Sequence, residues 1–136
     1  MSVLSGIRVI ELANERISWA GKLMGDMGAD VILVESKEGE SSRNYPPFLE
    51  DRPGENRSLY FWHYNTSKRS IVLDLAENTD QFLDLIDSAD ILIESEPTTR
   101  LSDLNIDYPQ LSERNKKLIH IAVTPYGRNN RLSDLP

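Results

Sequence analysis

Glu35, Asp74 and Glu94 each close a run of apolar residues, which is where a sheet presents side chains to a ligand. A carboxylate at such a position can act as a general base, or it can cap the loop that follows. The residue pattern leaves both roles open. Arg16 stands in the loop after the first apolar run, where it can meet a phosphate, although a lone loop arginine is more often a solvated charge. Lys68 and Arg69 precede the third apolar run and read as a surface salt-bridge pair. His120 alternates with Leu118 and Ala122 on one face of the last run, a pattern that favours a hydrogen-bonded histidine over a catalyst. His63 sits among Tyr60, Phe61, Trp62 and Tyr64 and reads as a packing residue. Those rings can stack on an adenine, but core packing is the better reading of so many together.

Several chemistries are excluded. The loop after the first run, Asn14-Glu15-Arg16-Ile17-Ser18, has no glycine-rich phosphate cradle, so a dinucleotide fingerprint and a P-loop are both absent. No serine occupies a nucleophile elbow. With no cysteine there is no disulfide frame, thiolate metal site or cysteine nucleophile, and two histidines make a zinc centre improbable. The net charge of −7 argues against nucleic acid or an anionic membrane as the main partner. Neither a signal peptide nor a transmembrane run is visible, and a cytoplasmic protein is expected.

The elements that must position these residues follow from periodicity. Hydrophobic residues at 39% of a 136-residue chain are enough for one packed core. Residues 7–12 read as a first strand. A helix capped by Ser18 carries Trp19, Leu23, Met24 and Met27 at helical spacing and stops at Gly28. Residues 31–34, four apolar residues in a row, read as a buried parallel strand. Residues 36–57 contain Pro46, Pro47, Pro53 and Gly54 and read as a long irregular loop. A helix over 58–65 and a strand over 71–75 follow. Asn78 and Gln81 resemble a capping box ahead of a helix whose apolar face is Phe82, Leu85, Ile86 and Ala89. Residues 91–93 form a strand, 107–115 a short helix with Pro109 near its start, and 118–123 a last strand. The alternation predicts an α/β fold with a mostly parallel sheet flanked by helices. Ligands bind such sheets beyond the carboxyl ends of the strands. The loops at 13–18, 36–57, 76–78, 94–100 and 124–131 are therefore the ones to watch. The run from Leu132 to Pro136 is loop-like, and a cut chain is expected.

Whole phrases of the chain resemble the N-terminal part of the class III CoA-transferases, the CaiB/BaiF family. They are residues 4–12 (LSGIRVIEL), 24–35 (MGDMGADVILVE), 64–75 (YNTSKRSIVLDL), 89–94 (ADILIE) and 119–127 (IHIAVTPYG), in order and with fitting spacing. The resemblance implies a Rossmann-like large domain, of which residues 1–136 are an incomplete part. A small domain and two interlocked chains in a homodimer complete the family fold. It implies a transferase that moves CoA between carboxylic acids, with an acyl-CoA or CoA as substrate and no metal. In that chemistry an aspartate attacks the thioester and covalent intermediates follow. The family's aspartate lies beyond the matched segment, and Asp134 stands before that region, so the chain alone is expected to be inactive. Carried over by position, the CoA contacts are Arg16 and Ile17, Ser36 and Lys37, Leu73 and Ala76, and Ser95 and Glu96. Ser36 replaces a common arginine, with Lys37 one step along. Asp103 falls where the family has an arginine, which reverses the Coulomb term toward a phosphate; Arg100 takes that role only if the loop is shortened. The rival reading is a degenerate, non-catalytic scaffold or dimerisation module. A receiver-like signalling domain is a weaker third, since Thr124-Pro125-Tyr126 has no lysine after the last strand.

Overall fold

The computed structural model describes residues 2–128 and 131–133. Its strands are β1 (Arg8–Leu12), β2 (Asp30–Glu35), β3 (Lys68–Val72), β4 (Ile91–Glu94) and β5 (Ile119–Ala122). They form one sheet in the order β3-β2-β1-β4-β5, and every pairing is parallel. Successive residues of a strand face opposite sides. Ile10, Ile32 and Leu92 accordingly enter one hydrophobic cluster, with Phe82, Ile86, Leu101, Ile106 and Leu111. Val9, Val31 and Ile93 enter the other, with Ile17 and Ala29. Both faces of the central strands are covered, which is why those strands read as unbroken apolar runs.

The helices are α1 (Ser18–Asp26), α2 (Leu59–Asn65), α3 (Thr79–Asp87), α4 (Thr98–Asp103) and α5 (Tyr108–Arg114). α1 stops as expected: Gly28 takes φ +97°, and the N–H groups of Gly28 and Ala29 bond to the carbonyls of Gly25 and Met24. Its start differs. Ile17 is the N-cap residue and Ser18 the first helical one, with the Ser18 hydroxyl donating back to the Glu15 carbonyl at 3.0 Å. α1 turns Ser18 and Gly21 inward, leaving Trp19, Leu23 and Met27 on the exposed side. Asn78 caps α3 by position only, because its side chain accepts no bond, so the capping box does not form. α4 was not expected; of its six residues only Leu101 is apolar and buried. α5 begins one residue later than the 107–115 reading, after Asp107, with Pro109 in its first turn as expected.

The third strand is also shifted from the 71–75 reading. β3 begins at Lys68, paired with Val31, and ends at Val72. It is an edge strand, and polar residues at an edge guard against further pairing. Leu73 and Leu75 lie past its end and are buried in the larger cluster. Residues 36–57 are irregular apart from two 3-10 turns, Ser41–Asn44 and Leu49–Asp51. Among the described residues, no helix is long and apolar enough to cross a membrane. Asp134 lies outside the described residues.

Candidate functional site

The strand order reverses at β1: the chain steps outward through β2 and β3, then returns to lay β4 on the other side of β1. Loops leaving the two sides of such a switch point diverge and open a crevice at the carboxyl edge. A cavity of about 370 Å³ lies there. Ala13 and Asn14 line it after β1, Ser36 and Gly39–Ser41 after β2, Leu73–Leu75 after β3, and Ser95–Pro97 with Arg100 after β4.

Glu35 and Glu94 close β2 and β4 as expected, Asp74 lies two residues past the end of β3, and all three are engaged as caps. Glu35 is 2% exposed and accepts from Arg43 Nε at 2.6 Å, Arg43 Nη2 at 2.7 Å, the Glu40 N–H at 3.0 Å and the Ser70 hydroxyl. Burial pushes its carboxyl up, but these donors outweigh burial and hold it below the ordinary range. Asp74 accepts the Ala76 and Glu77 N–H groups at 2.9 and 3.2 Å, and those two bonds hold it low. Glu94, fully buried, accepts the Glu96 N–H at 2.8 Å and lies 2.9 Å from His120 Nε2 and 2.6 Å from Arg128 Nη2. His120 is thus the hydrogen-bonded histidine the sequence favours.

Two other expectations are corrected. Arg69 is a surface partner, bonded to Asp30, but Lys68 is not: its ammonium is 1% exposed. It donates to Glu11 Oε1 at 2.8 Å, to the Ser18 carbonyl at 2.9 Å and to Asn65 Oδ1 at 2.9 Å, using all three N–H groups. The partner lies 57 positions away, so adjacency to Arg69 misleads. The aromatic run does not fill the core either. Phe61 is buried, but Trp62 is 45% exposed, because a seven-residue helix lying on the surface can turn few of its rings inward. His63 does pack, 6.4 Å from Trp19 and 4.9 Å from Tyr64 between ring centroids, on the outer face.

The CoA-transferase family III model matches residues 4–136. The chain belongs to that family. It is 43% identical over 96% of its length to a succinate–glutarate CoA-transferase of Agrobacterium fabrum, and 35% identical over 97% to the BbsE subunit of the succinyl-CoA:(R)-benzylsuccinate CoA-transferase of Thauera aromatica. It spans about a third of those relatives, 34% and 33%. A crystal structure of a CaiB/BaiF family protein from Brucella suis superposes with a TM-score of 0.88 at 32% identity, covering 98% of this chain and 36% of that one. The all-parallel sheet flanked by helices is the fold of the part of that structure the chain covers.

The eight residues that the resemblance points to divide into two groups. Ser36, Leu73, Ser95 and Glu96 line the cavity. Ile17 is 1% exposed, and its carbonyl accepts the Ala20 and Gly21 N–H groups. Ala76 is exposed, with its N–H bonded to Asp74. Lys37 sits at the rim, paired with Glu77 at 2.6 Å, which raises its ammonium above the ordinary value. Arg16 is exposed on the loop after β1, beside the cavity but not lining it. Sequence reasoning missed Asn14 and the Gly39–Ser41 wall. It gave Arg100 only a conditional role, whereas Arg100 lines the cavity and its guanidinium is held by Glu96 at 2.9 Å. The signal for Arg100 was available: it stands four residues after Glu96, the spacing of a helical ion pair.

Proposed function

We propose that the protein containing this chain moves CoA between carboxylic acids, and that this segment seats the CoA. The observation that carries the reading is the cavity at the switch point, lined by the loops after β1, β2, β3 and β4, in a chain that matches the family throughout residues 4–136. Relatives named for succinyl-CoA or for succinate and glutarate support a short dicarboxylate as the acyl class. In this reading residues 1–136 are part of one α/β domain, and the whole protein is an interlocked homodimer in the cytoplasm. The aspartate that attacks the thioester lies beyond the matched segment, so the 136 residues alone bind without turning over. Arg16, Lys37 and Arg100 supply positive charge to the CoA phosphates. Ser95 and Ser36 offer hydroxyls, and Leu73 gives an apolar wall. Ile17, Ala76 and Glu96 shape the loops that carry the site, their N–H groups being bonded to Asn14, Asp74 and Glu94.

Calorimetric titration of CoA at low salt tests this. Binding is weak and salt-sensitive, and Arg16→Ala, Lys37→Ala and Arg100→Ala each lower it by less than about fivefold, since exposed charge contacts are worth about 0.2–1 kcal/mol. No heat from a folded sample refutes CoA seating. Turnover by the 136 residues that is lost on changing one of their own carboxylates refutes the placement of the nucleophile.

One observation favours the second reading, a non-catalytic scaffold or dimerisation module. Arg100 and Lys37 are already held by Glu96 and Glu77. If Glu96→Gln or Asp103→Arg creates CoA binding where the unaltered chain has none, the degenerate reading gains.

A further inference from the structure

One wall of the cavity, Gly39–Ser41, belongs to the long irregular loop. A loop of some twenty residues with little secondary structure is easily opened unless specific bonds hold it. Here the bonds converge on Glu35, the last residue of β2. Its Oε2 accepts the Glu40 N–H at 3.0 Å, which fixes the wall directly. Its two oxygens also take the Arg43 fork at 2.6 and 2.7 Å. Arg43 extends the hold outward: Nη1 donates to Asn56 Oδ1 at 2.7 Å, and the guanidinium carbon lies 3.8 Å from the centre of the Phe61 ring. Behind Arg43 is a second cavity of about 390 Å³, lined also by Phe48, Pro53 and Glu55. The Glu35–Arg43 pair thus separates the two spaces. Gly39 makes room for it, with φ +76° and a built Cβ position only 2.9 Å from Arg43 Cδ.

We propose that Glu35 and Arg43 are positioning residues that clamp the Gly39–Ser41 wall in the conformation that seats CoA. The proposal rests on the CoA reading of the cavity. The clamp needs a buried acceptor with two oxygens and a planar two-pronged donor. A lysine offers a point charge and an amide offers one oxygen, so neither conservative replacement restores it.

The test uses the whole chain with Glu35→Gln and Arg43→Lys, so that one variant serves if the other fails to fold. Backbone amide exchange is followed at Glu40 and Ser42, with β1 and β2 as internal controls, and CoA affinity is measured by titration. Exchange at Glu40 and Ser42 is expected to quicken at least about tenfold while β1 and β2 stay protected. The dissociation constant for CoA is expected to rise about 10- to 100-fold, as misplacement of a supporting wall does elsewhere. A general loss of stability would quicken exchange everywhere and leave the affinity of the folded fraction unchanged. Unchanged exchange at Glu40 and Ser42 overturns the clamp, and so does a loosened wall with unchanged CoA affinity. Absence of CoA binding in the unaltered chain, with the expected exchange in the variants, refutes the CoA reading instead and supports the clamp as what holds the wall.

Discussion

The buried Glu11–Lys68 pair predicts a fall in stability between pH 4.5 and 7. Glu11 is fully buried, and only Lys68 opposes the cost of its charge. Its Oε2 has no partner and faces Gly21, where a built Cβ position falls only 1.6 Å away. Burial is the largest influence and outweighs the Lys68 ammonium, pushing the Glu11 carboxyl from 4.5 up to about 7. The same burial pushes Lys68 below its usual 10.5. The sign follows from proton counting. Between pH 4.5 and 7 the folded chain holds a proton on Glu11 that the unfolded chain releases, so rising pH favours unfolding. The contribution is complete below 4.5 and is lost as pH rises through 7. At about 1.36 kcal/mol per pH unit it amounts to about 3 kcal/mol.

The depressed carboxylates act in the other direction and in another window. Asp30, lowered by Arg69 and Arg8 against burial, and Glu35, lowered mainly by Arg43 against burial, stabilise the fold above pH 4–5 and lose that contribution in acid. Urea unfolding at pH 5 and pH 7.5 isolates Glu11 when the chain is compared with Glu11→Gln. The two proteins differ only at this side chain, so the contributions of the other groups cancel. The unaltered chain should lose about 2.5 kcal/mol more than the variant between the two pH values, a midpoint difference of about 1 M urea or more. Equal pH slopes in the two proteins would refute the reasoning.

Lys68→Met leaves Glu11 without its cation and should cost about 3–5 kcal/mol at pH 8, with a smaller cost at pH 5, by the same urea assay. Phe82→Ala empties the largest fully buried side chain of the main cluster and should cost about 3–5 kcal/mol, seen as a lower thermal midpoint. Gly28→Ala combines positive φ with a built Cβ position only 2.3 Å from Ser2 Cβ, and should cost more than about 1 kcal/mol. Ser58→Ala removes the α2 cap on the Phe61 N–H and a hydroxyl within reach of the Ser42 and Tyr45 carbonyls; about 1–2 kcal/mol is expected from chemical unfolding.

What was legible in the sequence follows burial. β1, β2 and β4 are covered on both faces, so their apolar runs announce them. β3 has one neighbour and exposed side chains, and its polar first half, Lys68-Arg69-Ser70, hid it behind the more apolar 71–75. α4 has too few apolar residues to show a period. The site was half legible. The rule that ligands gather at strand ends pointed to the loops that line the cavity, and Ser36, Leu73, Ser95 and Glu96 are among its lining residues. Arg43 was not visible because nothing in a proline-rich polar stretch marks which arginine turns inward. Lys68 was not visible because its role depends on Glu11, brought close only by the pairing of β1, β2 and β3.

The electrostatics of the wall bear on what it can do. A carboxylate that attacks a thioester must give up electron density, and it does so less readily the more its charge is stabilised. Glu35 and Asp74 are held below the ordinary range by their donors, which makes them poor nucleophiles. Glu40 accepts from the Ser42 N–H and hydroxyl, and Glu96 holds Arg100. The acidic residues that line this cavity are therefore caps and tethers for its own loops. Glu35 and Glu96 are paired with Arg43 and Arg100, while Asp74 and Glu40 accept N–H and O–H donors, so on the proposed reading the CoA phosphates depend on Arg16, Lys37 and Arg100 for positive charge. On the proposed reading, the division of labour follows: this segment shapes and holds, and the attacking carboxylate comes from outside it.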